Sequence, residues 1–134
     1  EMCIRDSVSG RRRMAESLFA TGIPFLGRGD AAAHEKFGKE LQKVMAISAG
    51  VRRFGSAALD LAYVAAGRYD GFWERGLSSW DIAAGILLVR EAGGFVSDFA
   101  SRDRALDSGD VVAANPAIHA ELLKTLNAAN NDTA

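Results

Sequence analysis

The stretch WDIAAGILLVREAGG, Trp80 to Gly94, decides the reading of the chain. Ile82, Ile86 and Val89 recur at spacings of four and three, which is one apolar face of a helix over Trp80 to Ala92. Gly93 and Gly94 end that helix and turn the chain into the apolar strand Phe95 to Phe99. Asp81 stands at the helix start, where the Gly76 to Ser79 turn gives way to it. Two readings follow. With Ser78 it forms S-x-x-D, a cap that satisfies free N–H groups and complements the helix dipole. Equally, a carboxylate projecting from a helix start is a ligand for a hard cation held by the preceding loop.

Working upstream, YDGFWE from Tyr69 to Glu74 carries the aromatic residues of a strand, and Ser56 to Ala66 is an Ala-rich apolar helix stopped by Gly67. Val51 to Phe54 fits a short strand. Ala31 to Ser48 places Phe37, Leu41, Val44, Met45 and Ser48 on one helical face, with Lys36, Lys39, Glu40 and Lys43 elsewhere. Ser17 to Phe25 reads as a strand entering a loop. Downstream, Arg102 to Gly109 reads as a polar loop and Asp110 to Ala114 as a strand. A last helix is capped by Asn115, carries Pro116 in its first turn and turns Leu122, Leu123 and Leu126 inward. Strands alternating with helices predict an α/β layered sandwich, a mixed and largely parallel sheet flanked by helices, over residues 11–134. Residues 1–10 show no period and are expected to be disordered or non-native.

Composition bounds the function. At 134 residues, 49% hydrophobic and 25% charged, the chain is sized for one core and is neither disordered nor fibrous. Sixteen basic against 17 acidic side chains leave a net charge of -1, so neither nucleic acid nor an anionic membrane is an expected partner. Cys3 is the only cysteine, which permits no internal disulfide and suits a reducing compartment; the expected location is the cytoplasm. No apolar run reaches the roughly 18 residues of a membrane span.

Further residues invite chemistry. Glu74, seven positions before Asp81, is either a solvated strand-end carboxylate paired with Arg68 or Arg75, or a group that holds a polyol hydroxyl in a cleft shared with Asp81. Gly55, Ser56 and Ala57 form a strand-to-helix junction, either an ordinary Ser cap or a set of N–H groups for a phosphate or hydroxyl oxygen. Asp60 is read as a satisfied buried carboxylate or an exposed face residue, outside any site. His34 and His119 lack partners at zinc-ligand spacing and are expected at the surface.

Taken in order, GSAALDLAYVAAGRYDGFWE from Gly55, WDIAAG from Trp80 and EAGGFVSDF from Glu91 resemble the carboxy-terminal signature of the inositol monophosphatase family. The resemblance runs from about Met14 to VVAANPAIHAELL, and CIRDS at the amino end resembles translated sequencing-adapter sequence instead. It implies a magnesium-dependent phosphatase of inositol monophosphate or a related polyol or sugar phosphate monoester, with Mg2+ as cofactor and a homodimer as the full-length form. By motif position it makes Asp81 a magnesium ligand, Glu74 the group on an inositol hydroxyl, and Gly55, Ser56 and Ala57 substrate contacts, Asp81 also bordering the substrate. The family's upstream glutamate and its D-P-[IL]-D-G-T motif do not occur here, so little or no activity is expected from these residues alone. Histidinol-phosphate, fructose-bisphosphate and phosphoadenosine-phosphate phosphatases are the related alternatives. A non-catalytic dimerisation or scaffold module is another, since some bacterial relatives engage the transcription machinery.

Overall fold

The computed structural model describes residues 6–25 and 27–131. In chain order it has β1 (Leu18–Thr21), α1 (Ala31–Ile47), β2 (Gly50–Arg52), α2 (Ala57–Ala65), β3 (Gly71–Glu74), α3 (Ser79–Glu91), β4 (Phe95–Ser97), α4 (Ala105–Ser108), β5 (Val111–Ala114) and α5 (His119–Asn131). Among the described residues the strands form one sheet in the order β2-β1-β3-β5-β4. β2, β1 and β3 are parallel, whereas β5 runs antiparallel to both β3 and β4. The fold is therefore the expected mixed α/β sandwich, with a larger antiparallel share than simple strand-helix alternation implies. The cause lies between β4 and β5. Asp98 accepts from the N–H groups of Ala100 and Arg102 at 2.9 and 2.8 Å, an anchored turn that reverses the chain at the end of β4 before α4 leads into β5.

Alternation along the strands divides the core in two. Ala20, Phe72, Val111 and Ala113 face α2 and α3, where they meet Leu61, Val64, Ile82, Ile86 and Val89. Phe19, Trp73, Val112 and Ala114 face the other way, against Val44 of α1 and Leu122, Leu123 and Leu126 of α5. The apolar face read along Trp80 to Ala92 is thus the buried one. Gly85, on the same face, lets α3 lie directly against α2: a Cβ there would stand 2.6 Å from that of Leu61. No described helix is long and apolar enough to cross a membrane.

Several local expectations need correction. Arg102 to Gly109 is not simply a loop, because α4 forms within it; Ala105 is buried beneath it and Gly109 closes it in a left-handed conformation. On α1, Met45 is 57% exposed while Glu40 is buried, so the packed face is rotated towards Glu40 and Val44. Glu40 is tolerated there because Arg75 (2.5 Å) and Asn130 (3.0 Å) both donate to it. His119 is buried rather than superficial, with Nε2 3.0 Å from the Ser97 hydroxyl. Burial lowers its pKa, against an opposing hydrogen bond to the Val112 backbone. His34 is exposed as expected.

The amino end also differs from expectation. Cys3 and the rest of residues 1–5 lie outside the described residues. Residues 8–11, however, are tied down. The Val8 N–H donates to the Ala92 carbonyl at 3.1 Å, the Ser9 hydroxyl donates to buried Asp70, and Asn115 donates to Ser9 Oγ and to the Arg11 carbonyl at 2.9 Å each. Asp70 completes the clamp by accepting the Leu18 N–H at 2.7 Å. An irregular sequence is ordered here by long-range partners rather than by periodicity.

Candidate functional site

The carboxyl ends of β2, β1 and β3 lie side by side, the edge at which open α/β sheets present ligand-binding groups. β2 runs into Gly55, which takes φ 83°, a left-handed conformation open to glycine at little cost. Ser56 then caps α2, its hydroxyl oxygen accepting the Leu59 N–H at 3.3 Å. The bland reading of this junction is real. It still leaves the hydroxyl hydrogen and the free first-turn N–H groups of α2 for an oxygen-bearing ligand.

Glu74 closes β3 beside Gly22, the residue that follows β1. The contact is very close: a Cβ on Gly22 would sit 1.8 Å from Glu74 Oε1, so a side chain there would displace the carboxyl from this position. Burial pushes the Glu74 pKa up to about 7; Asp60 and Asp81 add to the rise, against Arg28 and Arg53. Arg75 does not pair with Glu74, because it is bonded to Glu40.

Asp81 begins α3 in a capping box with Ser78, Oδ2 accepting the Ser78 N–H at 3.1 Å. One carboxylate oxygen is thereby fixed, and the head group is oriented by its own helix. α3 starts at Ser79, five residues after β3 ends at Glu74, so Asp81 follows the carboxyl end of β3 closely, and its charge adds to the rise in the Glu74 pKa. Asp60 was assigned no role from sequence, yet it is 1% exposed and neither carboxylate oxygen has a hydrogen-bond partner in the structure. Burial raises its pKa to about 6. The signal in the sequence is an isolated charge in an Ala-rich helix, and the structure leaves that carboxylate without the partner a buried charge ordinarily has.

The raised Asp60 pKa has a measurable consequence. Unfolded, the carboxyl releases its proton near 3.8; folded, it holds it to about 6. Between those values the native state binds more protons, so its contribution to stability is full below the lower value and falls as pH rises through the upper one. Asp60→Asn is expected to remove a loss on the order of 2–3 kcal/mol between about pH 4 and 7. Urea denaturation of both proteins across that range measures it, and parallel stability curves would refute the assignment.

The donor set at this edge is carboxylate and hydroxyl oxygen, which suits a hard divalent cation rather than zinc or copper. Among the described residues no group of three or more His, Cys, Asp or Glu side chains gathers closely enough to hold a metal ion.

The mixed-sheet α/β domain brings a glycine turn, a half-buried glutamate and a helix-capping aspartate to one edge of the sheet. The chain belongs to the inositol monophosphatase family, whose model matches residues 7–131. It is 59% identical over 119 residues to an inositol-1-monophosphatase from Mesorhizobium japonicum, covering 89% of this chain and 44% of that protein. It is 48% identical to the Nus factor SuhB of Pseudomonas aeruginosa, again covering 89% of this chain and 44% of the relative. The crystal structure of the extragenic suppressor protein suhB from Bartonella henselae superposes with a TM-score of 0.86 at 49% identity, over 93% of this chain and 46% of that one. The chain thus spans a little under half the length of these relatives.

Proposed function

We propose that these residues form the substrate-side wall of a Mg2+-dependent phosphatase acting on inositol monophosphate or a related polyol or sugar phosphate monoester. The observation that carries the reading is Glu74: a half-buried carboxyl at the end of β3, seated against Gly22, whose pKa burial raises to about 7. Such a group accepts from a polyol hydroxyl when ionised and donates to one when protonated. Ser56 and the α2 start offer hydrogen bonds to a neighbouring oxygen, and Gly55 and Ala57 leave room for the ligand to approach the backbone. Asp81 is the residue that would hold Mg2+, its carboxylate directed by the cap to Ser78. When bound, the metal supplies charge stabilisation at the phosphate and an acidified water. A nucleic-acid contact is not part of this reading, because the formal charge of -1 offers no excess of cations.

The test uses a chimera in which the amino-terminal half of the Mesorhizobium japonicum relative precedes these residues. Glu74→Gln is expected to raise KM for inositol 1-phosphate about tenfold, the loss of one charge-assisted hydrogen bond. Hydrolysis of p-nitrophenyl phosphate, which has no polyol, should change by less than about threefold. Equal losses on both substrates would contradict the polyol role of Glu74.

A further inference from the structure

A cavity of about 420 Å³ opens between the end of β3, the loop that follows β1 and one face of α1. Ala33, Lys36, Phe37 and Glu40 recur along α1 at helical spacing, so a single stripe of that helix forms one wall. Ile23 and Pro24 contribute to another, and most of the lining is apolar. Arg28 spans two of the walls: its Nη2 donates to the Gly76 carbonyl at 3.2 Å, joining the loop after β1 to the turn after β3. The volume falls within the range of small-molecule compartments, roughly 300–1,000 Å³.

The charged side chains of the lining balance, Arg28, Lys36 and Arg75 against Glu40, Glu74 and Asp110. Two of the acids are already engaged: Arg75 donates to Glu40, and Asp110 accepts the Gly76 N–H at 3.0 Å. Glu74 makes no hydrogen bond or ion pair among the described residues. Of the residues assigned above to phosphate, polyol and metal, Gly55, Ser56, Ala57, Glu74 and Asp81, Glu74 alone borders the cavity. A desolvated charge without a partner is costly, so balanced walls favour an uncharged occupant. The apolar lining favours an apolar body, and the free Glu74 carboxyl favours a hydroxyl at one end of it.

We propose that this cavity is a subsite for an uncharged aryl or short alkyl substituent on the polyol, next to the hydroxyl held by Glu74. The proposal rests on the reading of Glu74 as the polyol-binding group and narrows the substrate class, from a bare polyol phosphate to a phosphate monoester of an aryl- or alkyl-substituted polyol.

The probe is 1-O-benzylglycerol, an uncharged diol with an aryl body, and the readout is the 15N–1H amide spectrum of the 134-residue chain. At about pH 8 Glu74, whose pKa is raised to about 7, is mostly ionised. The amides of Gly22, Gly29, Phe37 and Gly76 are expected to shift along one saturable curve, with a dissociation constant on the order of 1 mM. Glycerol, benzoate and benzylammonium should each bind at least about fivefold more weakly, the first for want of an apolar body and the others because they bring an unmatched charge. Ala33→Phe, at an exposed position where the new ring would fill the cavity, should weaken binding by a similar factor, and the remaining amide spectrum verifies its fold. No saturable shift at these amides, equal binding of glycerol, or tighter binding of either ion would overturn the proposal. The chimera separates it from the phosphatase reading. There kcat/KM for the 1-O-benzyl ether of glycerol 3-phosphate is expected to exceed that for glycerol 3-phosphate about tenfold, and the ratio to fall towards one with Ala33→Phe. Equal efficiency on the two esters would overturn the subsite and leave the phosphatase reading standing. Release from neither, with the titration as expected, would overturn the phosphatase reading alone.

Discussion

Asp81→Asn, placed in the chimera described above, is expected to lower Mg2+-dependent phosphate release from inositol 1-phosphate by a factor on the order of 10³. The substitution is nearly isosteric. An asparagine side-chain oxygen can still accept the Ser78 N–H that now binds Asp81 Oδ2 at 3.1 Å, so the start of α3 keeps its cap. What it removes is the negative charge a hard cation requires. The readout is therefore kcat as a function of Mg2+ concentration, alongside a circular dichroism melt. A variant that retains activity within about tenfold, with unchanged Mg2+ dependence, would show that Asp81 only caps the helix. The same assay on the 134 residues alone should give little or no release. Enzymes acting on phosphate monoesters must supply accelerations of up to about 10²¹-fold, and one acid or base supplies only about 10²- to 10⁴-fold. The carboxylates gathered among the described residues do not form a cluster that could hold a metal ion.

Gly85→Val is expected to be strongly destabilising. Gly85 faces Leu61 across the α2–α3 contact, and a Cβ would lie 2.6 Å from both Leu61 Cβ and Leu61 Cδ1. The Leu61 Cδ1 atom can swing away, but its Cβ moves only with the α2 backbone. α3 would have to withdraw, opening the layer that buries Val64, Ile82 and Val89. Overpacking typically costs 1–3 kcal/mol, and a branched side chain wedged between two helices should reach or exceed the top of that range. At this size that corresponds to a fall in Tm of roughly 10 °C or more. Thermal unfolding followed at 222 nm measures it, and a loss under about 1 kcal/mol would mean that the helices separate freely.

Much of this architecture was legible in the sequence because it depends on neighbours. The 3.6-residue spacing of Ile82, Ile86 and Val89, the glycines at 93 and 94, the Asn115 cap with Pro116 behind it, and the aromatic strand ending at Glu74 are all local signals. Each was found where it was expected: Asn115 Oδ1 accepts the Ile118 N–H at 2.9 Å, and the first turn before α5 forms on it. The site was legible in part for the same reason. Asp81 and Ser56 sit at helix starts, and helix starts follow from sequence. His119 was within reach too, since it precedes Leu122 and Leu123 by three and four positions on the face that packs inward.

The sequence by itself determined the main elements, α4 excepted, their order, the α/β class and which carboxylates stand at element ends. Tertiary structure decided the rest, because those features join residues far apart in the chain, where no short-range pattern carries the information. It inserted β5 antiparallel between β3 and β4 and set the Glu74 carboxyl against Gly22, a contact across more than 50 positions that a side chain at 22 would displace. Glu40 could be buried only because Arg75 and Asn130, 35 and 90 positions away, both reach it. Asp60 shows the opposite balance: helix packing took its carboxylate out of water without supplying a partner. Burial and partnership are properties of the packed layers, which no short-range pattern in the sequence carries.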